Sequence, residues 1–407
     1  MESFNQTQQT VFALLRASLW GQPFTPDPDT DWEEVWKELR AQTVDGLCTD
    51  VLVRADPANR TRYLQNIARR ISFWYTIVGE QEKLCQLLRA HDIPCVVLKG
   101  TAAGVYYPQP TYRTMGDIDL IVQPQNYQRA NEILAEYGCE PVKMDDPRNS
   151  TWRHNGIIIE LHYRFSAFKP LELCQHMDQH IHAGMAHAET AVLEGYSFPI
   201  LPNAENGLVL LDHISLHLAY GLGLRQIVDW MLYADRFLDD AWWQEVFRPM
   251  AQELGLDILA TAVTRMCQIY LGLREDITWC RDASPDLCRM LMNHILDLGN
   301  FGNKKEKGQT KGLTVLNAAC NDIPFFFRWL QKRGCETWPA YQKHPWLRPL
   351  AWTYQVRHLV REGFRRKNPI QSLREDMKKR KDQDDFLGKL GIHMYGLRNP
   401  ILDQEHL

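Results

Sequence analysis

The chain has 407 residues, of which 45% are hydrophobic and 24% charged, and its formal net charge is −4. That length holds two or three packed units, and the composition is that of an ordinary soluble protein rather than a disordered or fibrous one. The slight acidity excludes broad electrostatic binding of nucleic acid, which needs a basic surface, yet leaves room for a nucleotide in a locally positive pocket.

The opening residues, MESFNQTQQT, are polar and unlike a signal peptide, and no apolar run approaches the length of a membrane span. The 10 cysteines show no CxxC pair and no regular spacing. They read as reduced, mostly buried thiols of a cytosolic protein. Residues 1–92 read as a helical segment, with short amphipathic stretches at 12–19 and 32–39 and a long helix over 63–90. In that helix Leu64, Ile67, Ile71, Tyr75, Ile77, Leu84 and Leu88 recur near helical spacing, which suits a scaffold helix packed on a sheet.

Residues 93–200 read as a catalytic core. Residues 95–98 form a short apolar strand. Gly100 lets the backbone turn sharply and approach a ligand, and Thr101 is placed to cap a short helix reaching Tyr107. A helix N-terminus is an anion site, and Lys99 and Arg113 add positive charge to oppose phosphates. Then comes Asp117-Ile118-Asp119 in an apolar strand. Period-two alternation turns both aspartates to one face and Ile118, Leu120 and Val122 to the other. Two neighbouring carboxylates repel unless a cation lies between them, and magnesium is held by such a pair together with substrate phosphates. A solvated strand end is the plainer reading.

Pro124 opens a helix through Tyr137, Gly138 ends it, a strand follows over 139–144, and 145–150 is a polar loop. Asn155-Gly156 is a strong hairpin signal. The strand after it, 157–165, carries Glu160, His162 and Arg164 on one face. An acid among isoleucines and leucines costs roughly several kcal/mol if buried without a partner, and a shared metal removes that cost. If this strand lies beside Asp117, three carboxylates converge, enough for two divalent cations. Glu160 pairing with Arg153 or Arg164 is the structural alternative. His162 reads as a structural or supporting residue rather than a ligand.

Residues 201–407 read as almost wholly helical. Asn203 is the expected N-cap of a helix over 204–220. His213 and His217 share one face of it, and without a third ligand at clear spacing they read as structural. Arg225 and Asp229 read as an i,i+4 pair on the next helix. Residues 301–313 read as a polar loop or linker. Residues 325–329 and 346–366 mix aromatics with arginines, as in a helix with a basic solvent face or one lying on an anionic membrane. Residues 376–385 are a solvated charge run.

Taken together, Gly100-Thr101, Asp117-Ile118-Asp119 and Glu160 on a later strand resemble the polymerase-β-type nucleotidyltransferase superfamily. Leu98-Lys99-Gly100, Arg113 before the acidic pair, ELHY at 160–163 and GLRQIVDW at 223–230 resemble, more narrowly, a bacterial branch of uncharacterised nucleotidyltransferases. The resemblance implies an α/β (α+β) fold: a small mixed sheet with helices on it, flanked by the helical segment 1–92 and the helical domain 201–407. It implies that Asp117, Asp119 and Glu160 bind Mg²⁺ or Mn²⁺, with Glu160 as base, and that Lys99, Gly100, Thr101 and Arg113 handle the NTP phosphates. It also implies that the region around Arg225 packs on the sheet and helps form the acceptor pocket, which leaves Arg225 open as a contact to nucleotide or substrate. One departure is that the superfamily's glycine-serine is here Gly100-Thr101. The implied activity moves an NMP from an NTP to an unidentified acceptor (small molecule, RNA end or protein) with release of pyrophosphate. The alternatives are a nucleotide-sensing module without catalysis, and a peripheral membrane partner using the aromatic and basic C-terminal region.

Overall fold

The computed structural model describes residues 4–167, 169–300, 304, 330–331, 344–364 and 381–392. They fall into two compact units, the larger holding the described residues of 4–167, 171–304 and 390–392.

In the larger unit, α1 (Gln6–Trp20) starts at a capping box of Asn5 and Gln8, and α2 (Trp32–Ala41) starts at Asp31, whose carboxylate accepts two backbone N–H groups. After α3 (Thr49–Ala55) comes the long helix α4 (Arg60–Ala90). Its buried stripe runs through Tyr63, Ile67, Trp74, Ile77, Leu84 and Leu88, while Leu64 and Tyr75 are exposed. The strict count of apolar residues had put Leu64 and Tyr75 on the core face. Over 31 residues the larger Tyr63 and Trp74 win those places.

Seven strands make one sheet: β1 (Cys95–Leu98), β2 (Asp117–Val122), β3 (Glu140–Lys143), β4 (Asn149–His154), β5 (Ile157–His162), β6 (Glu189–Leu193) and β7 (Tyr196–Ile200). Their order is β3-β4-β5-β2-β1-β7-β6. The sheet is mixed, with β2 parallel to β5, β1 parallel to β7, and the other neighbours antiparallel. The fold is the expected mixed α/β type. The β4–β5 turn has positive φ at both Asn155 (49°) and Gly156 (79°), as a two-residue hairpin of this hand requires. Glu194-Gly195 repeats that geometry between β6 and β7, a hairpin without the asparagine signal. The polar stretch before the first hairpin extends less far than expected, because Asn149 and Ser150 pair with His162 and Leu161 and are buried.

One face of the sheet carries Val97, Ile118, Leu120, Ile159 and Leu161, packed on α4 and on α6 (Tyr127–Glu136). Burying each such side chain contributes about 1.5–3 kcal/mol. The opposite face is walled by α8 (Asn203–Tyr220) and α9 (Leu224–Phe237), which follow α7 (Leu171–Met185). Helix α8 begins one residue earlier than expected: Pro202, not Asn203, is its N-cap. The described cysteines, Cys48, Cys85, Cys95, Cys139, Cys174, Cys267, Cys280 and Cys288, are buried and unbridged.

The smaller unit's described residues include the helix Arg348–Phe364, with Trp346 and Leu350 exposed near its start, and a helical stretch at 381–389. The readings for 301–313 and 325–329 lie outside the described residues, apart from Lys304, as do 365–366 and 376–380. Among the described residues no helix is long and apolar enough to cross a membrane.

Candidate active site

The parallel β2–β5 pairing sets Asp119 opposite Glu160 and Ile121 opposite His162, so Asp117, Asp119, Glu160 and His162 share the face away from the core. Asp119 and His162 are each 4% exposed, and Glu160 is half-buried. The Nε2 of His162 lies 3.2 Å from Asp119 Oδ1 and 3.3 Å from Glu160 Oε2. Ligand atoms of these three residues lie within 4.8 Å of one another. Asp117 stands one step back along β2. The expected acidic trio therefore shares a face, but the tightest group is Asp119, Glu160 and His162. The sequence signal for His162 was there, two residues after Glu160 on the same strand face. The other ring nitrogen, Nδ1, is buried without a partner.

Lys99 follows β1 at φ 50° and ψ −129°, a backbone conformation that side-chain-bearing residues avoid. Its Nζ sits 2.9 Å from Asp119 Oδ1 and 5.5 Å from the centre of the Phe165 ring. Lys99 thus pairs with the acidic cluster itself. Burial works against its charge, but Asp119, Glu160 and Asp117 overcome it and raise the ammonium's pKa. Burial likewise opposes the charge of Asp119, yet Lys99 and His162 hold that carboxyl well below the usual range. Asp117 has no such neighbour in contact, and burial together with the Asp119 charge pushes it up to about 6. Burial also works against a charged His162, and its bonds to Asp119 and Glu160 outweigh that and raise its pKa.

Two expectations need correction. Thr101 is fully buried, and its hydroxyl donates to Gln81 Oε1 at 2.7 Å. The short helix α5 (Gly100–Gly104) already starts at Gly100, with Lys99 as its N-cap, so the Thr101 side chain turns toward α4 and its hydroxyl is spent there. Arg113 is 3% exposed and grips Asp229 with both arms, Nε to Oδ1 at 2.8 Å and Nη2 to Oδ2 at 2.7 Å. Tyr107 donates its hydroxyl to the same carboxylate at 2.6 Å. Arg113 is a buried tie between the loop before β2 and α9, with its charge already answered. The expected Arg225–Asp229 pair gives way to it. Gly100 does line the cleft, and a Cβ there would meet Met115 Cε at 3.3 Å.

The cleft over the cluster holds about 310 Å³. Its far wall includes His213, His217 and Arg225, and Arg148, Asn149 and Thr151 close one side. The two histidine rings meet edge to face at 4.4 Å. Burial lowers both pKa values, that of His217 to about 4, so both imidazoles are neutral. The helical segment at the N-terminus pins the loop into β2. Arg70 pairs with Asp45 at 2.7 Å and donates to Thr114 Oγ1 at 2.9 Å, and Thr114 in turn donates to Thr43 O at 3.1 Å.

A loop after β5 is anchored by Asp178 of α7, which accepts the backbone N–H of Phe165 at 2.7 Å. Burial, helped by the charge of Asp212, pushes Asp178 up to about 7. Below pH 4 this carboxyl is protonated in both folded and unfolded chains and costs nothing. From its ordinary value of 3.8 up to about 7 the unfolded chain sheds the proton first, so folding stability falls with rising pH. The slope from this group is at most about 1.4 kcal/mol per pH unit. Asp178→Asn keeps an acceptor for Phe165 and cannot ionise. Its melting temperature should match wild type at low pH and exceed it at pH 8. Parallel melting curves across that range would refute this carboxyl's burial.

The family described as uncharacterised nucleotidyltransferases matches residues 28–272, more than half of the chain. No curated protein matches. Solved structures with similarity include a solution structure of the antibiotic-resistance factor ANT(2'')-Ia, at 14% identity over 44% of this chain and 91% of that one. A crystal structure of ANT(2")-Ia with adenylyl-2"-tobramycin matches at 12% identity over 44% and 98%. An antigenic nucleotidyltransferase-like protein from Paracoccidioides brasiliensis matches at 17% identity over 49% and 93%. Each has a TM-score of 0.32, too low to carry an argument about this chain.

Proposed function

Because the chain belongs to the family of uncharacterised nucleotidyltransferases, we propose that its cleft moves a nucleoside monophosphate from an NTP to an acceptor hydroxyl. The observation that carries this reading is the acidic face of β2 and β5, with Asp119 and Glu160 in direct register and Asp117 beside them.

The residues fit a divalent cation. Asp119, Glu160 and His162 offer ligand atoms within 4.8 Å of one another, and Asp117, whose pKa the Asp119 charge helps to raise, gains from any added positive charge. Carboxylates with one imidazole suit Mn²⁺ as well as Mg²⁺. A bound cation there supplies neutralising charge for the triphosphate and for the pyrophosphate that leaves. Asp117 and Asp119 would hold the cations. Glu160 would help to hold the one nearer the acceptor and would take the proton of the acceptor hydroxyl. That oxygen then bonds to the α-phosphorus while the bond to the β-phosphate bridge breaks, releasing pyrophosphate. Gly100 keeps one wall low for the phosphates, and Lys99 is close enough to follow them. Such chemistry rests on positioning and preorganised charge.

The acidic residues that carry the chemistry lie in residues 93–200 in this reading, with 1–92 as a support and the helices from 201 onward closing the cleft. Buried, unbridged cysteines support a cytoplasmic location. The acceptor is a small molecule, an RNA end or a protein side chain.

The test is a thermal-shift titration of purified protein with each NTP and Mg²⁺ or Mn²⁺, beside the double variant Asp117→Ala/Asp119→Ala. Stabilisation by one NTP that needs metal and vanishes in the variant is the expected outcome. No shift with any NTP, with wild type well folded, would overturn the proposal.

A further inference from the structure

Among the described residues, Arg225 lines the cleft without a carboxylate in contact with it. Arg113, the arginine just before the acidic strand, is consumed by Asp229. Arg225 is not. It makes one side-chain hydrogen bond, Nη1 to the carbonyl of Thr114 at 3.0 Å, and among the described residues no carboxylate lies within 4.0 Å of it. Its Nε is buried with no partner at all. Desolvation and the nearby Arg113 disfavour its charge, and Asp229 and Asp117, neither in contact with it, offset them only in part. A half-buried guanidinium with an orphaned Nε is costly, and an anion that accepts its free N–H groups relieves the cost.

Position narrows the anion. Arg225 lines the same cleft as Asp117, Asp119 and Glu160, and Thr114 ties it to the loop that runs straight into β2. The start of α9 is itself closed: Gln42 accepts from the backbone N–H of Leu224 at 3.1 Å through its side chain and from that of Arg225 at 3.3 Å through its carbonyl. The side chain, not the helix end, faces the ligand. Gln42 fixes the backbone beneath it and Thr114 holds its Nη1, so little freedom remains to be lost on binding. Planar N–H groups in a fork match phosphate oxygens better than a lone ammonium does.

We infer that Arg225 grips the polyphosphate of the incoming NTP, in the place that the resemblance gave to Arg113. This rests on the nucleotidyltransferase reading of the cleft. The experiment measures binding of ATP, inorganic tripolyphosphate and AMP, each with Mg²⁺, to wild type, Arg225→Met and Arg225→Lys. Where thermal shift selects another NTP, that NTP and its monophosphate replace ATP and AMP. Mn²⁺ binding by electron paramagnetic resonance is followed in parallel. Arg225→Met should weaken the NTP and tripolyphosphate about tenfold or more, leave the monophosphate and Mn²⁺ unchanged, and be partly rescued by Arg225→Lys. Unchanged NTP and tripolyphosphate affinity in a folded variant overturns the role of Arg225 while leaving the reading of the cleft intact. An equal loss for the monophosphate or for Mn²⁺ also overturns it, since that is general damage to the site. If wild type binds neither NTP nor tripolyphosphate, the reading and the inference fall together. Should Arg225→Met fail to fold, Arg225→Lys alone decides: tripolyphosphate must weaken and the monophosphate must not.

Discussion

Asp119→Asn should lose nucleotidyl transfer by about 10²–10³-fold or more while keeping its secondary structure. The substitution is nearly isosteric, so the β2–β5 register that places Glu160 opposite position 119 survives. What disappears is the one carboxylate to which both Lys99 and His162 turn, at 2.9 and 3.2 Å. Asn keeps an acceptor oxygen but brings no charge to offset the ammonium or to hold a divalent cation. The measurement is pyrophosphate release with the NTP that stabilises wild type, with circular dichroism as a control for folding. Activity within a few-fold of wild type would place the chemistry elsewhere.

The second large effect is on stability. Asp229→Ala should cost the fold about 3–5 kcal/mol, the range for breaking one side of a buried ion pair. Asp229 accepts both arms of Arg113 and the hydroxyl of Tyr107, and the side chains of Arg113 and Asp229 are 3% and 4% exposed. Without the carboxylate, a guanidinium stays buried with nothing to answer it. Removing both charges together, as Arg113→Met/Asp229→Leu, should recover most of the loss, because no orphaned charge remains. Urea midpoints of the three proteins at one pH decide the matter. A loss under about 1 kcal/mol for Asp229→Ala would mean that the pair behaves as a solvated surface bridge.

What the chain disclosed in advance follows from the reach of each signal. Alternation along β2 and β5 assigned faces correctly, because side-chain direction is a local property of an extended backbone. The Asn155-Gly156 turn fixed one hairpin because the turn's φ values select those residues. Partnership at long range was not legible. Arg113 and Asp229 are 116 positions apart, and nothing local distinguishes an arginine aimed at a phosphate from one aimed at a buried aspartate. Thr101 was misjudged by a single residue of helix phase. Starting α5 at Gly100 swings the hydroxyl from the cleft to Gln81. His162 reads from the sequence as a structural or supporting residue, and its partners were out of reach there, since only the parallel pairing brings its Nε2 between two carboxylates. The β6–β7 hairpin turns on Glu194-Gly195, a weaker signal than Asn-Gly.

The Lys99–Asp119 contact gives the cleft a resident competitor. A divalent cation approaching Asp119 meets an ammonium tethered a few bonds from β1, whose local concentration is set by geometry rather than by dilution. Free metal alone must then outbid an intramolecular rival. A metal arriving with a polyphosphate has help, since the phosphate offers the displaced lysine a new counter-charge. The two ligands would then strengthen each other's hold by the same factor, as linkage requires. If the cleft works as proposed, it would stay idle in metal without nucleotide, and without metal Lys99 would offset the charge of Asp119 at the centre of the acidic face.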